Sequence, residues 1–230
     1  MPELPEVETI RRELERFLPG RTIGEAAISP EAPRLVHWPP QVAEFCRGLE
    51  GQRIEATKRR GKYLLFRLSD GKSWVVHLRM TGALLHRPQG CASDAFVRAT
   101  FRLDDGTWLC FRDVRKFGMM WLVDDPEEVV GKLGPEPLGN GFSPADLAGL
   151  SRRRAPIKAV LLDQTTLAGL GNIYADEALF EARIHPQRLA SSLSEEEVSR
   201  LQKAIVNTLN RAMADRGSSF DSYVDPKGEK

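Results

Sequence analysis

Two Asp-Gly turns between apolar, β-prone runs constrain the fold of this chain more than any other local pattern. The first turn lies between the runs Tyr63–Leu68 and Trp74–Arg79. The second lies between the runs Val97–Leu103 and Thr107–Arg112. Asp-Gly flanked by such runs is a strong signal for a β-hairpin. The first half of the chain is therefore predicted to form an antiparallel sheet or β-sandwich.

A helix is predicted to precede these strands. Pro5 suits the first turn of a helix, and Pro19-Gly20 would end it. Apolar residues recur between these points at the spacing of one helical face, namely Val7, Ile10, Leu14, Phe17 and Leu18. Because that face would pack on a core, we expect the helix to hold the chain terminus in a fixed place.

The periodicity changes from β to helical after a segment rich in proline and glycine. That segment, Leu133–Gly141, is typical of an interdomain connection. Beyond it, Ser143–Asp146 and Ser194–Glu197 have the pattern of helix capping boxes. Shorter helices are predicted at Ile157–Leu162 and Asn172–Ala182.

We therefore predict an α+β chain of two domains. Residues 1–130 would form an N-terminal antiparallel β-sandwich domain with a leading helix. Residues 131–141 would form the linker, and residues 142–230 an all-helical domain. A chain of 230 residues is long enough for two modest cores, and its 41% hydrophobic and 28% charged content is typical of soluble globular proteins.

Composition also narrows the function classes. No apolar run is long enough to span a bilayer, and the N-terminus lacks a signal-peptide core, so a cytoplasmic protein is expected. Cys46, Cys91 and Cys110 contain no C-x-x-C pair, which suits a reducing compartment and offers no zinc site of the usual spacing. With a net charge of only +1, nucleic-acid binding would depend on local basic patches.

The terminus Met1-Pro2-Glu3 suggests a nucleophile. A small second residue normally allows removal of the initiator methionine, and an α-amino group has a pKa of about 7.7–8. Attack of the secondary amine of Pro2 on a sugar C1′ would give an iminium ion, which is an electron sink. Glu3 beside it supplies a carboxyl group for proton transfer. An ordinary exposed terminus is the alternative for so short a motif.

A Gly-x-Gly turn and a basic run suggest a phosphate-binding region in the second half. Gly169–Asn172 precedes a predicted helix, where glycine backbone and free N–H groups can approach a phosphate. A basic run precedes it without an acidic residue before Asp163, formed by Arg152, Arg153, Arg154 and Lys158. Together they favour a clamp on DNA phosphates. A plain helix connector and a solvated basic face are the alternatives.

Several residues of the first half combine DNA-contact chemistry with a structural alternative. Lys62 opens a predicted strand and would ordinarily lie on the surface, and His77 would ordinarily be a satisfied core or edge histidine. Arg115 lies two residues from Phe117 on a predicted loop, which could wedge into a base stack. Phe117, like Met80, could equally belong to the core.

Taken together, these blocks resemble the bacterial formamidopyrimidine-DNA glycosylases (Fpg), which excise oxidised purines such as 8-oxoguanine. The resemblance covers essentially the whole chain, in the family's order. Leu4 favours this branch over the related endonuclease VIII branch, whose members typically begin Pro-Glu-Gly-Pro. The matching blocks are Met1–Thr9, Arg60–Leu65, His77–Gly82, Arg115–Gly118, Leu133–Leu138 and Gly169–Glu177.

The resemblance implies a β-sandwich followed by a helix-two-turn-helix domain in a monomeric, bifunctional glycosylase and abasic-site lyase of base-excision repair. Its partner would be double-stranded DNA containing oxidised bases or abasic sites. Pro2 would form a Schiff base with C1′, Glu3 would protonate the opening sugar, and β- and δ-elimination would follow. Lys62 is implied in the elimination steps, and Glu6 in orienting the terminus.

The resemblance also implies two sets of DNA contacts. One set would fill the space left by the flipped base, with Arg115 facing the orphaned cytosine, and consists of Met80, Arg115 and Phe117. The other would contact phosphates and consists of His77, Arg153, Arg154, Lys158 and Asn172.

Three departures from the family pattern are visible. The family ends in a four-cysteine zinc finger whose ligands are absent here, so we expect no metal or other cofactor in this chain and a weakened grip on DNA. Gly217–Lys230 resembles only the start of the loop that closes over the extruded base. Ala95–Arg98 stands where the family has Lys-His-x-His, and Arg98 is expected to substitute as a DNA contact. A catalytically weak or inactive DNA-binding remnant is one alternative, and an unrelated N-terminal-proline enzyme such as a tautomerase is a weaker one.

Overall fold

The computed structural model describes residues 1–91, 94–139 and 141–215. These residues divide into two compact units. The first contains Met1–Pro2 and Glu6–Gly131, and the second contains Glu3–Pro5 and the described residues between positions 132 and 215. The segment Gly217–Lys230, which resembles the start of a base-closing loop, lies outside the described residues.

The first unit is built from two β-sheets and short helices. Its strands are β1 (Ile23–Ile28), β2 (Val36–Trp38), β3 (Ile54–Arg60), β4 (Tyr63–Leu68), β5 (Ser73–His77), β6 (Gly82–Arg87), β7 (Val97–Leu103), β8 (Trp108–Asp113) and β9 (Met119–Val123). Its helices are α1 (Leu4–Leu14, in this unit from Glu6), α2 (Val42–Leu49) and α3 (Glu127–Val130), with a 3₁₀-helix at Pro33–Leu35.

The strand order confirms both predicted hairpins. One sheet has the order β1-β7-β8-β6, and the other has the order β2-β9-β5-β4-β3. Tyr63 lies opposite His77 where β4 and β5 pair, and β7 pairs with β8 around the second Asp-Gly turn. All named pairs are antiparallel except β2 with β9. These two strands are far apart in the chain, so no tight hairpin turn imposes an antiparallel direction on them.

Aromatic side chains join the two sheets face to face. The ring centroid of Trp74 on β5 lies 4.8 Å from that of Phe66 on β4 and 4.5 Å from that of Phe101 on β7. All three side chains are fully buried. Burial of one phenylalanine side chain contributes about 1.5–3 kcal/mol, so these rings add to the stability of the sandwich.

Helix α1 packs on this core as predicted but is shorter than its apolar stripe. Val7, Ile10 and Leu14 are fully buried members of the core. The helix ends at Leu14, where the N–H groups of Phe17 and Leu18 both donate to the Leu14 carbonyl. These tight turns replace the last predicted helical turn and still bring Leu18 into the core.

The second unit is helical. Its elements are a 3₁₀-helix at Pro144–Arg152, α4 (Ile157–Leu162), α5 (Asn172–Glu181), a 3₁₀-helix at Ala190–Ser192 and α6 (Glu195–Ala214). Both predicted capping boxes are present. At the start of α6 the Ser194 hydroxyl accepts from the Glu197 N–H at 3.2 Å, and the Glu197 carboxylate accepts from the Ser194 N–H at 2.9 Å. The box at Ser143 begins a 3₁₀-helix, whose bonds join residues three apart.

Two of the three cysteines lie close together in the folded first unit. Cys91 and Cys110, whose Cα atoms are 6.4 Å apart, form a disulfide. Both cysteines pack in a small apolar cluster with Ala83 and Leu85, which residues far apart in the chain form only on folding. Within the described residues, no cluster of three or more histidine, cysteine or acidic side chains could hold a metal ion. In the same part of the chain, no helix is long and apolar enough to cross a membrane.

Candidate active site and DNA-contact loop

The carboxylate of Glu3 lies at the N-terminus of α5, within the second unit. Its Oε1 accepts a hydrogen bond from the Ile173 N–H at 3.0 Å, and its Oε2 accepts one from the Tyr174 N–H at 3.5 Å. The first N–H groups of a helix have no intrahelical partner and carry partial positive charge, so they stabilise a carboxylate. Glu3 is only 2% exposed. The start of α5 therefore holds in place the carboxyl group that follows Pro2 in the chain.

The Gly-x-Gly turn leaves room for this approach. A Cβ at Gly171 would lie 2.6 Å from the Glu3 Oε2, and a Cβ at Gly169 would lie 2.6 Å from the Leu4 Cδ1. Gly169 also has a φ of +88°, and its carbonyl accepts from the Leu4 N–H at 3.1 Å. Sequence reasoning linked the glycines to phosphate alone, because their proximity to Glu3 and Leu4 arises from residues about 170 positions apart.

A glutamine that sequence reasoning missed ties this turn together. The Gln164 Oε1 accepts from the Gly169 N–H at 3.0 Å, and its Nε2 donates to the carbonyls of Leu162 and Leu170 at 3.0 and 2.8 Å. Asn172, the first residue of α5, is exposed beside the turn. The Gln164 hydrogen bonds thus stabilise the backbone of the turn, and the Asn172 side-chain amide beside it is exposed to solvent.

Two residues of the predicted basic run form ion pairs with aspartates. Arg153 is paired with Asp163, and the Lys158 Nζ lies 2.8 Å from the Asp176 carboxylate. Arg154 is exposed. The sequence pattern hid these pairs, since Asp163 and Asp176 lie beyond the run and meet it only in the folded unit.

Lys62 and His77 lie together in the first unit and are both buried. Lys62 lies between Gly61, whose φ is +55°, and Tyr63, the first residue of β4. The His77 Nδ1 accepts from the Arg79 N–H at 2.9 Å. Burial, with the positive charges of Arg79 and Lys62, lowers the pKa of His77 to about 3. His77 is therefore a neutral imidazole whose proton lies on Nε2, which makes that nitrogen a hydrogen-bond donor.

The structure places Pro2 and Glu6 in buried positions, whereas Met1 is 42% exposed. While Met1 is attached, the Pro2 nitrogen is an amide. Removal of Met1 is the step that would make it a secondary amine. The predicted nucleophile is thus part of a packed terminus rather than a loose one.

Met80, Arg115 and Phe117 form an exposed group in the first unit. Phe117 is 54% exposed and Met80 is 41% exposed, so neither belongs to the core. The Arg115 Nη1 lies 3.0 Å from the Met80 Sδ, which brings the two loops together. Sequence reasoning named all three residues but not Asp113, whose buried carboxylate accepts from the N–H groups of Arg115 and Phe117.

Arg98 has an environment that differs from the surface position expected of a phosphate contact. It is only 5% exposed, and its Nε donates to the Asp113 carbonyl at 2.9 Å. Its Nη1 donates to the Ala95 carbonyl at 3.3 Å and lies 3.4 Å from the Glu31 carboxylate. Successive side chains of a regular strand point to opposite faces, but the register of β7 shifts between Val97 and Ala99, and Arg98 and Ala99 are both buried. The DNA-contact prediction for Arg98 stays untested.

Comparison with known families matches both halves of the chain. The formamidopyrimidine-DNA glycosylase N-terminal domain matches residues 1–120, and the formamidopyrimidine-DNA glycosylase H2TH domain matches residues 133–223. The chain belongs to the formamidopyrimidine-DNA glycosylase family. It is therefore a glycosylase of base-excision DNA repair, as the resemblance of its sequence blocks predicted.

Relatives of this glycosylase are similar over its full length. The formamidopyrimidine-DNA glycosylase of Desulfitobacterium hafniense is 45% identical over 243 residues, which cover 100% of this chain and 85% of that protein. The crystal structure of the Thermus thermophilus MutM (Fpg) protein has a TM-score of 0.87 and 41% identity, over 99% of this chain and 82% of the other. Lactococcus lactis Fpg in complex with DNA containing an abasic site has a TM-score of 0.88 and 33% identity, over 99% and 84% of the two chains.

Proposed function

We propose that this glycosylase removes oxidised purines, including 8-oxoguanine and formamidopyrimidines, from double-stranded DNA and then cleaves the strand as a lyase. The fixed position of the Glu3 carboxylate at the start of α5, directly after Pro2 in the chain, carries the proposal. Structures of Lactococcus lactis Fpg with DNA containing Fapy-dG or an abasic site support this substrate class.

In the first chemical step, the Pro2 nitrogen attacks C1′ of the damaged nucleotide after Met1 has been removed. The bond between C1′ and the base breaks, and its electron pair leaves with the base. The Glu3 carboxylate then takes up the proton that the Pro2 nitrogen loses. Glu3 donates a proton to O4′ as the C1′–O4′ bond breaks, and the nitrogen lone pair forms a C=N⁺ bond to C1′. The product stays a cationic iminium ion, because the Pro2 nitrogen has no N–H left to lose once it is bonded to C1′.

The iminium ion acidifies the C2′–H bond and so leads to strand cleavage. Loss of the C2′ proton moves electrons toward nitrogen, and the 3′-phosphate leaves in β-elimination. Loss of the C4′ proton then expels the 5′-phosphate in δ-elimination, and water hydrolyses the remaining imine. Lys62 beside His77 is proposed to support these steps with its positive charge near the leaving phosphates.

Phosphate contacts are proposed for both units. His77 would donate from its neutral Nε2, and Asn172 from its side-chain amide at the start of α5. Arg154 is exposed for a direct contact, whereas Arg153 and Lys158 would exchange their carboxylate partners for phosphates. Such contacts hold the duplex without reading its sequence.

Met80, Arg115 and Phe117 are proposed to fill the space vacated by the flipped nucleotide. Their exposure and the contact between Arg115 and Met80 suit insertion into a base stack. Flipping costs a few kcal/mol and least for a damaged pair, which contributes to lesion selectivity. Arg115 would face the orphaned cytosine.

Borohydride trapping tests the proposal. The chain is expected to form a covalent complex with a duplex containing 8-oxoguanine opposite cytosine, and with a duplex containing an abasic site. The matched control is the same chain with one residue added before Pro2, since that residue turns the reactive amine into an amide. Intact-mass measurement first establishes that Met1 is absent from the tested protein. Lack of trapping by that protein at low salt would support a non-catalytic DNA-binding protein instead.

A further inference from the structure

Asp113 is the last residue of β8, and its carboxylate accepts hydrogen bonds from backbone N–H groups of the loop that follows. Its Oδ2 accepts from the Phe117 and Gly118 N–H groups, both at 2.8 Å. Its Oδ1 accepts from the Arg115 N–H at 3.1 Å. The side chain is fully buried. One carboxylate therefore receives three N–H groups from within five residues of its own position.

The conformation of this loop requires such support. Lys116 has a φ of +59°, a left-handed conformation that is uncommon for residues other than glycine. At Gly118 a Cβ would lie 2.6 Å from the Phe111 Cε1 and 3.3 Å from the Asp113 Oδ2. The loop is thus folded tightly over its own carboxylate, with Arg115 and Phe117 pointing to solvent on either side of Lys116.

The same carboxylate joins this loop to the one that carries Met80. The Thr81 hydroxyl donates to the Asp113 Oδ1. The Thr81 hydroxyl oxygen in turn accepts from the backbone N–H of Arg115 at 3.2 Å. Because Thr81 follows Met80 in the chain, the position of Met80 is coupled to that of Arg115 through both backbone and side chain.

Arg98 binds the backbone carbonyl of Asp113, whereas the loop binds its carboxylate. Its Nε donates to the Asp113 carbonyl, and its Nη1 lies 3.4 Å from the Glu31 carboxylate. Lys116, from the loop itself, lies 3.1 Å from the same Glu31 carboxylate. The strand end, the loop and Glu31 therefore form one connected hydrogen-bond network.

We propose that Asp113 is a positioning residue, which holds Met80, Arg115 and Phe117 in the arrangement that enters the DNA duplex. This inference rests on the proposed function, in which these three side chains fill the space of the flipped base. Ordering a loop during binding costs conformational entropy, so a loop that is already ordered inserts at a smaller cost. Asp113 would act on excision from duplex DNA and not on the imine chemistry at Pro2.

Substitution of Asp113 and Thr81 separates these effects. Asparagine in Asp113→Asn has the same shape but a single acceptor oxygen, so its NH₂ group would face an N–H group of the loop. Thr81→Val removes the hydroxyl that joins the two loops, whereas Thr81→Ser keeps it. Each variant would be assayed for excision of 8-oxoguanine opposite cytosine, and for borohydride trapping on a single-stranded oligonucleotide with a preformed abasic site.

We expect Asp113→Asn and Thr81→Val to lower single-turnover excision from the duplex by about tenfold or more, the effect of one lost hydrogen bond to a charged group. Trapping on the single strand should change by less than about twofold, an effect too small to reflect a lost hydrogen bond. Thr81→Ser should restore duplex excision. Equal losses on both substrates, or excision by Thr81→Val equal to that by Thr81→Ser, would overturn the role of Asp113. Failure of the unsubstituted protein to trap either substrate would instead overturn the proposed function.

Discussion

The Glu3 carboxylate occupies the space that a side chain at position 171 would need. A Cβ at Gly171 would lie 2.6 Å from the Glu3 Oε2, while the Ile173 N–H donates to the Glu3 Oε1 at 3.0 Å. Glu3 and the start of α5 can approach so closely only because residue 171 has no side chain. The turn therefore leaves room for the carboxyl group that is the proposed proton donor.

Gly171→Ala should displace the carboxyl group of Glu3, the proposed proton donor, without disturbing the fold elsewhere. The added methyl group would push Glu3 away from the Ile173 N–H, and excision of 8-oxoguanine should fall about 10²-fold or more, the usual contribution of a positioned proton donor. Single-turnover kinetics would measure the loss. Gly149→Ala is the matched control, because nothing lies within 4 Å of a Cβ at that position. Equal rates for the two variants would show that Gly171 is not needed to place Glu3.

Arg98→Met should destabilise the protein and leave the salt dependence of DNA binding nearly unchanged. Arg98 is buried and donates to the Asp113 carbonyl, so its loss leaves that carbonyl without its charged donor. The expected decrease in the free energy of unfolding is about 1–3 kcal/mol, measured by urea denaturation. By contrast, Arg154→Met should reduce the slope of log K against log salt by about 0.9, the value for one phosphate contact. A similar reduction for Arg98→Met would restore the phosphate role expected from sequence.

His77 should make stability depend on pH in the acidic range. Its pKa is about 3 in the folded protein, lowered from an ordinary value of 6.5 by burial and nearby cations. Between these two values the unfolded chain binds a proton that the folded protein does not, so stability falls as pH decreases below about 6.5. Urea denaturation at pH 7.5 and 5.0 should show a smaller loss for His77→Gln than for the unsubstituted protein. An identical loss would indicate that His77 takes up a proton in the folded state.

Gln164→Ala should loosen the turn before α5. The Gln164 side chain makes three hydrogen bonds to the backbone of Leu162, Gly169 and Leu170. Truncation leaves these groups without that partner, at about 1–3 kcal/mol of stability. Thermal unfolding would report this loss, and DNA affinity should fall with it because Asn172 follows the same turn. Gln202→Ala, which removes a single bond to the Phe142 carbonyl, is the control and should lower the unfolding temperature less.

Elements that depend on a few neighbouring residues were predictable from the sequence. β4 and α4 have the predicted bounds, and the β4–β5 hairpin forms around its Asp-Gly turn. The box at Ser194 caps α6. Turn geometry and capping are completed within about five residues, so local sequence is sufficient to specify them. The family resemblance likewise drew on residue blocks that are each continuous in the chain.

Relationships between distant residues emerge only on folding. Nothing around Gly171 indicates Glu3, and nothing around Asp113 indicates Thr81 or Arg98. The inward direction of Arg98 depends on the register of β7, and the pairing of Lys158 with Asp176 depends on the packing of α4 against α5. Sequence patterns identify which chemical groups are available. Burial, helix ends and strand register then determine which of them face solvent and which hold the others in place, because these properties come from contacts between segments far apart in the chain.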